Sequence, residues 1–144
     1  MKIQNRFAAI VLISMALIVN ACQKDDNSEV APTTDARDKY TGSWTCAETN
    51  TKTNKKNTFT VSISKSSANS SELILSNFSN IGSSSTFNVK SSLSGTSISI
   101  PSQEVSGDNI SGSGSVASDV KINFSYTVDD HNGSPDAYAA IYTK

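Results

Sequence analysis

The chain is poor in the residues that most often carry enzyme chemistry: it has one histidine, His131, two cysteines, Cys22 and Cys46, and only the arginines Arg6 and Arg37. A Ser-His-Asp triad would have to use His131. That residue falls in the segment Asp129-Asp130-His131-Asn132-Gly133-Ser134-Pro135-Asp136, where Asn-Gly is itself a turn signal, so it reads as a solvated loop residue. Methionine occurs only at Met1 and Met15. The longest strongly apolar run, Phe7 to Val19, has thirteen residues with Ser14 alone polar. As a helix it would rise about 20 Å, short of the roughly 30 Å hydrocarbon core of a bilayer, which disfavours a membrane span.

That run instead has the parts of an exported leader. Lys2 and Arg6 form a positive n-region, the apolar run follows, and Val19-Asn20-Ala21-Cys22 closes it. From the residues alone, Cys22 is either an ordinary thiol beyond a cleavage site or a lipid attachment point. A small residue followed by cysteine in this slot resembles the lipobox of bacterial lipoproteins, with Asn20 departing from the smaller residue usual there. The resemblance implies cleavage after Ala21 and acylation of the new N-terminal Cys22. The next residues, Gln23-Lys24-Asp25-Asp26, look like the export signal of surface lipoproteins in the Bacteroidetes, which implies display on the outer leaflet of the outer membrane. Read as charge alone, Lys24, Asp25 and Asp26 are a solvated tether.

Loss of Lys2 and Arg6 leaves ten Lys and Arg against thirteen Asp and Glu, a mature charge of about −3. A mildly acidic chain without clustered cations is a poor nucleic-acid binder. With Cys22 carrying lipid, Cys46 lacks an intramolecular partner, so the fold rests on packing rather than a disulfide. Cys46 shares strand parity with Tyr40, Gly42 and Trp44 and reads as a small buried hydrophobe. Residues 23–39 hold eight charged side chains in seventeen, with Val30 the only large apolar one. Such a segment cannot bury enough surface to offset its ordering entropy. Three regions follow: a signal peptide over 1–21, a lipidated charged tether over 22–39, and one domain over 40–144.

Within that domain polar and apolar residues alternate. Tyr40, Gly42, Trp44 and Cys46 interleave with Thr41, Ser43 and Thr45; Phe59, Val61 and Ile63 do the same, as do Ile98 with Ile100 and Ile110 through Val116. The longest stretch is Val120-Lys121-Ile122-Asn123-Phe124-Ser125-Tyr126-Thr127-Val128. Strand side chains point to two faces in turn, so this pattern requires one dry face and one wet one. Breaks fall at 50–57, 66–70, 80–85, 94–95, 106–109, 117–119 and 129–136, giving about eight strands in an all-β, antiparallel up-and-down meander that closes into a small barrel or flattened sandwich. Serine and threonine make up 39 of the 123 residues after Ala21, so hydroxyls clothe the wet face.

Two stretches are apolar on both faces. Leu73-Ile74-Leu75 with Phe78 and Ile81 suggests a doubly covered strand or a segment folded across a barrel end, and Tyr138 to Tyr142 suggests a last strand closing against the first. Gly112 and Gly114 lie on one face of a strand and would allow a sharp bend, or a large ring such as Trp44 against bare backbone.

Gly42-Ser43-Trp44 followed by sequential strands is similar to the opening of lipocalin-like barrels. That resemblance implies a meander barrel over residues 40–144. Those proteins commonly set a late arginine over this tryptophan, whereas Arg6 and Arg37 both precede the domain, so Trp44 reads as a core plug.

No catalytic constellation emerges. Glu48, Glu72, Glu104, Asp108 and Asp119 read as strand-end or wet-face acids. Asp129, Asp130, Asn132 and Asp136 concentrate oxygens but lack the ordered spacing of a calcium loop. Lys52, Lys55 and Lys56 read as a solvated hairpin tip, with an anionic glycan or lipid headgroups as the functional alternative. The expectation is a non-enzymatic, cofactor-free and metal-free binding or accessory module, anchored to the membrane through Cys22. Its partner would be a glycan, a small apolar ligand or another envelope protein. An enzyme or protease inhibitor using the 129–136 loop, or a small surface hydrolase, is the alternative.

Overall fold

The computed structural model describes residues 34–82 and 84–144; Cys22 and the segment Gln23-Lys24-Asp25-Asp26 lie outside the described residues. Eight antiparallel strands follow in chain order: β1 Gly42–Asn50, β2 Lys56–Lys65, β3 Glu72–Ser76, β4 Val89–Ser94, β5 Ser97–Val105, β6 Asp108–Ser118, β7 Lys121–Asp129 and β8 Asp136–Thr143. Each pairs with its sequence neighbour, and β8 returns to β1 through Cys46↔Tyr142 and Glu48↔Ala140 to close the barrel. Closure removes the free edges that an open eight-stranded sheet would expose. The eight-strand meander and the β1–β8 closure expected from the alternation are therefore present.

The alternation sorts the side chains as the pleat requires. Trp44, Cys46, Val61, Ile63, Leu73, Leu75, Ile98, Ile100, Ile110, Ile122, Phe124 and Tyr142 point inward and are buried, while the serines between them face water. Each fully buried large side chain contributes about 1.5–3 kcal/mol by leaving water. The β5–β6 hairpin turns on Ser106 (φ +59°) and Gly107 (φ +91°), two consecutive left-handed residues of the kind that match strand twist.

One pole of the barrel is closed. Tyr40 and Trp44 lie across it, both 1% exposed, and the Trp44 Nε1–H donates to the Tyr40 carbonyl at 2.8 Å. Trp44 is the core plug the sequence suggested. The cation missing from the sequence pattern comes from the other end of the chain, since Lys144 Nζ sits 5.0 Å from the centre of the Trp44 ring and donates to the Lys39 carbonyl at 2.8 Å.

Ordered contacts begin before the expected domain boundary at residue 40. Arg37, placed in the tether by composition, is 7% exposed, and its Nη1 donates to the carbonyls of Ser66 (3.1 Å), Asn69 (2.8 Å) and Glu72 (3.0 Å). Its Nε and Nη2 hold Asp35. This guanidinium satisfies three carbonyls of the β2–β3 turn and so seats residues 35–39 on the closed pole.

The long bridge after β3 crosses the other pole. Phe78 enters the interior with no exposure, its ring 4.4 Å from that of Tyr126 and 6.2 Å from that of Phe124. The glycine pair serves a different ring from the one suggested by the sequence: Gly114 faces Phe124 and Gly112 faces Tyr126 across β6–β7, and Trp44 is not the side chain placed there.

Candidate functional site

At the open pole β3 pairs only with Ser62 to Lys65 of β2, so the half of β2 from Lys56 to Val61 runs on without a β3 partner. Residues 77–82 lie against this gap. Asn77 fastens them, its Nδ2 donating to the Thr60 carbonyl at 2.8 Å and its Oδ1 accepting the Gly82 N–H at 2.9 Å. What remains is a cleft of about 470 Å³ lined by Glu48, Asn50, Lys55, Ser79, Asp136 and Tyr138 among others.

Glu48 forms its floor. The sequence reading put this residue among the strand-end or wet-face acids; the structure puts it inside the barrel, 6% exposed. The parity that orders Trp44 and Cys46 continues through Glu48 to Asn50, and both point inward. Extending the alternation from Cys46 by two and then four residues would have found them. Tyr126 Oη donates to Glu48 Oε2, and Ser79 Oγ donates to the same oxygen at 3.3 Å. Glu48 Oε1 accepts no hydrogen bond from the described residues. A carboxylate withdrawn from water is costly unless it is paired or multiply hydrogen-bonded, yet no cation lies within ion-pair distance of Glu48 among the described residues.

The aromatic wall comes from β7 and β8. Tyr138 stacks on Tyr126 with centroids 5.4 Å apart and planes inclined by 23°. Burial, then the hydrogen bond to the Glu48 carboxylate, raises the Tyr126 hydroxyl well above the usual tyrosine range. Burial also raises Tyr138, assisted by the charges of Asp136 and Glu48. Deeper in, Cys46 is pushed up to about 12, first by burial and then by the Glu48 charge, and burial raises Tyr142 strongly. Near neutral pH these tyrosines and Cys46 are therefore protonated, and Cys46 is not a thiolate. The buried Cys46 has the character its strand parity suggested.

The rim is hydrophilic. Asn50 Oδ1 accepts the Lys52 and Thr53 N–H groups at 3.0 Å each, which pins the β1–β2 turn, and the exposed Lys55 and Lys56 that follow it border the cleft. Neither lysine forms an ion pair among the described residues. The remaining sequence candidates do not converge here. His131 is exposed in the β7–β8 loop with φ +61°, its N–H bound to Asp129 Oδ1 at 2.9 Å, and Asp130 Oδ1 accepts the Asn132 N–H at 3.0 Å. Those carboxylates are spent on turn geometry, and no group of three His, Cys, Asp or Glu with metal-holding arrangement occurs among the described residues. Asp119 pairs with Lys39 at the closed pole, 3.2 Å away. Glu72 and Glu104 lie on β3 and β5, and Asp108 opens β6.

No protein-family profile matches the chain. No curated protein matches it either. Among solved structures it is similar to a redesigned β-barrel, with a TM-score of 0.55 and 11% identity over 76% of this chain and 95% of the other. At that identity the likeness is one of fold.

Proposed function

We propose that the protein is a cell-envelope lipoprotein, anchored to the outer membrane by acyl chains on Cys22 and displayed at the cell surface by the Gln23-Lys24-Asp25-Asp26 signal, whose barrel is a non-enzymatic binding module. The observation that supports it best is the polarity of the barrel. The chain enters at the pole sealed by Tyr40, Trp44 and Arg37, whereas the Glu48 cleft opens at the other. Residues 35–40 thus sit on the pole opposite the cleft. The cleft favours a polar ligand over an apolar one, because the inward positions below it are taken by packed side chains such as Phe78, Phe124 and Tyr142. With Cys46 protonated, the interior supplies no thiolate nucleophile.

The test is metabolic labelling with an alkyne-bearing palmitate analogue in a Bacteroidetes host. The wild-type protein is expected to take up label and enter the detergent phase on Triton X-114 partition, and Cys22→Ser to do neither. Replacing Lys24, Asp25 and Asp26 together by alanine is expected to keep the label but abolish antibody staining of intact cells. Label or detergent partition retained by Cys22→Ser would overturn the anchor; staining retained by the triple variant would overturn the display signal.

A further inference from the structure

Glu48 is an acid in want of a cation. Its Oε2 is occupied by Tyr126 and Ser79, its Oε1 is free of protein donors among the described residues, and the side chain floors an open cleft. Two neutral hydroxyls on one oxygen leave a carboxylate undercompensated, and the partner that compensates it best is a charged N–H donor. Tyr138 offers a ring beside that position, held by its stack on Tyr126, and a cation is attracted to such a face. Asp136 lies on the same rim, with its Oδ2 3.5 Å from the Tyr138 hydroxyl, and adds to the preference for positive charge deep in the cleft.

The β1–β2 side has the opposite sign. Lys55 and Lys56 line the cleft unpaired among the described residues, with the neutral amides of Asn57 and Asn80 beside them. A simple amine would satisfy Glu48 and meet repulsion from these lysines; a simple carboxylate would reach the lysines and be repelled by the floor. A molecule carrying both charges satisfies both. About 470 Å³ is within the range of small-molecule sites. We propose that the open pole binds a small zwitterion of the amino-acid class, its ammonium group on Glu48 Oε1 against the Tyr138 ring and its carboxylate between Lys55 and Lys56. This rests on the binding-module reading above and names the ligand chemistry of the same cleft.

The experiment is a titration of the full-length protein in detergent micelles, followed by calorimetry and by the thermal midpoint, with glycine, 4-aminobutyrate, 6-aminohexanoate, hexylamine, hexanoate and N-acetylglucosamine. At least one of the three amino acids is expected to bind saturably and at least tenfold more tightly than both hexylamine and hexanoate. Glu48→Gln, which keeps an acceptor for Tyr126, should weaken that binding tenfold or more. Should this buried replacement unfold, the exposed pair Lys55→Ala/Lys56→Ala decides: it should reduce the amino acid to the affinity of hexylamine while leaving hexylamine itself no weaker. Tighter binding of hexanoate or of the sugar, amino-acid affinity unchanged in the lysine variant, or no binding by any of the three amino acids overturns the proposal. Those outcomes leave palmitate labelling and surface staining untouched, so failure here is distinct from failure of the anchor, and binding of the sugar alone would keep the module while refuting the zwitterion.

Discussion

Gly112 and Gly114 test whether the β6–β7 contact is set by backbone or by a movable ring. A methyl group at Gly112 would lie 2.5 Å from the Ser125 carbonyl oxygen, 2.5 Å from Tyr126 Cβ and 2.7 Å from Tyr126 Cα. These atoms belong to the paired strand and cannot move without breaking its ladder. At Gly114 the obstruction is the Phe124 ring, at 2.6 to 3.2 Å, which has some freedom to tilt although Tyr142 packs 4.7 Å from it. Overpacking costs about 1–3 kcal/mol, and replacing glycine inside a strand returns about 0.5–1 kcal/mol. The net expectation is a loss of about 2 kcal/mol for Gly112→Ala and about 1 kcal/mol for Gly114→Ala. Urea unfolding reads this directly, since at an unchanged slope a loss of about 2 kcal/mol lowers the midpoint by roughly 1 M. Adding Phe124→Leu should relieve Gly114→Ala, with a coupling of about 1 kcal/mol in a double-mutant cycle, while Tyr126→Phe should give Gly112→Ala no relief. Gly112→Ala as stable as wild type, or the two cycles behaving alike, would refute the reasoning.

Three further outcomes follow from the geometry. In a Cys22→Ser background, where Cys46 is the remaining thiol, Ellman's reagent at pH 8 should react only at the rate of unfolding, because burial holds Cys46 up to about 12; a stoichiometric burst from folded protein would contradict this. Arg37 holds the Asp35 carboxyl well below its usual 3.8, so the stability it contributes is present above that pH and fades as pH falls through the lower folded value. The thermal midpoint of Asp35→Asn should therefore trail wild type at pH 7 and approach it below about pH 4; a gap independent of pH would exclude the pair as its cause. Gln103 stands in for a strand where Pro101 and the β5 irregularity interrupt pairing, its amide accepting the Lys90 N–H at 2.8 Å and donating to the Lys90 carbonyl at 2.7 Å. Gln103→Ala should cost about 1 kcal/mol and release the Lys90 amide to rapid hydrogen exchange, and continued protection of that amide would show that the bridge is dispensable.

What was legible in the sequence is what travels along one strand. Ile122, Phe124, Tyr126 and Val128 announce a face by themselves, and Gly95, Gly107 and Asn132 mark turns without knowledge of any partner. The β1–β8 closure was suggested by the mixed run Tyr138 to Tyr142, of which Ala140 and Tyr142 are buried and Ile141 stays exposed. The residues that eluded the pattern act across it. Arg37 looked like tether because its charged neighbours look like tether, and its acceptors lie 29 to 35 residues further on. Lys144 reaches Trp44 from the opposite end of the domain, and the ring opposite Gly114 is settled by the β6–β7 register rather than by either strand alone. Glu48 is a different case. Its parity was visible, but a carboxylate contradicts burial, and the chemistry of the side chain outweighed the period of the strand.

That contradiction has company, and its distribution is informative. Ser79 (φ +51°) and Asn80 (φ +59°) hold left-handed backbone beside the cleft, with Asn77 (φ +60°) just before them and Asn54 (φ +58°) in the turn that carries Lys55. β3 leaves β2 unpaired from Lys56 to Val61 on the same side, and the buried, cation-free Glu48 lies beneath. Left-handed backbone at Ser79, polar burial and an incomplete wall each cost stability, and each persists only where the surrounding structure over-determines it. At the other pole polar groups are mostly paired and aromatics packed: Trp44 has its acceptor and Arg37 its carbonyls, while the buried hydroxyls of Tyr40 and, near the end of β8, Tyr142 lack a partner among the described residues. A barrel selected only to be stable would have no reason to collect its departures around one opening. Their concentration at the Glu48 cleft is the argument for seeking the proposed binding function there.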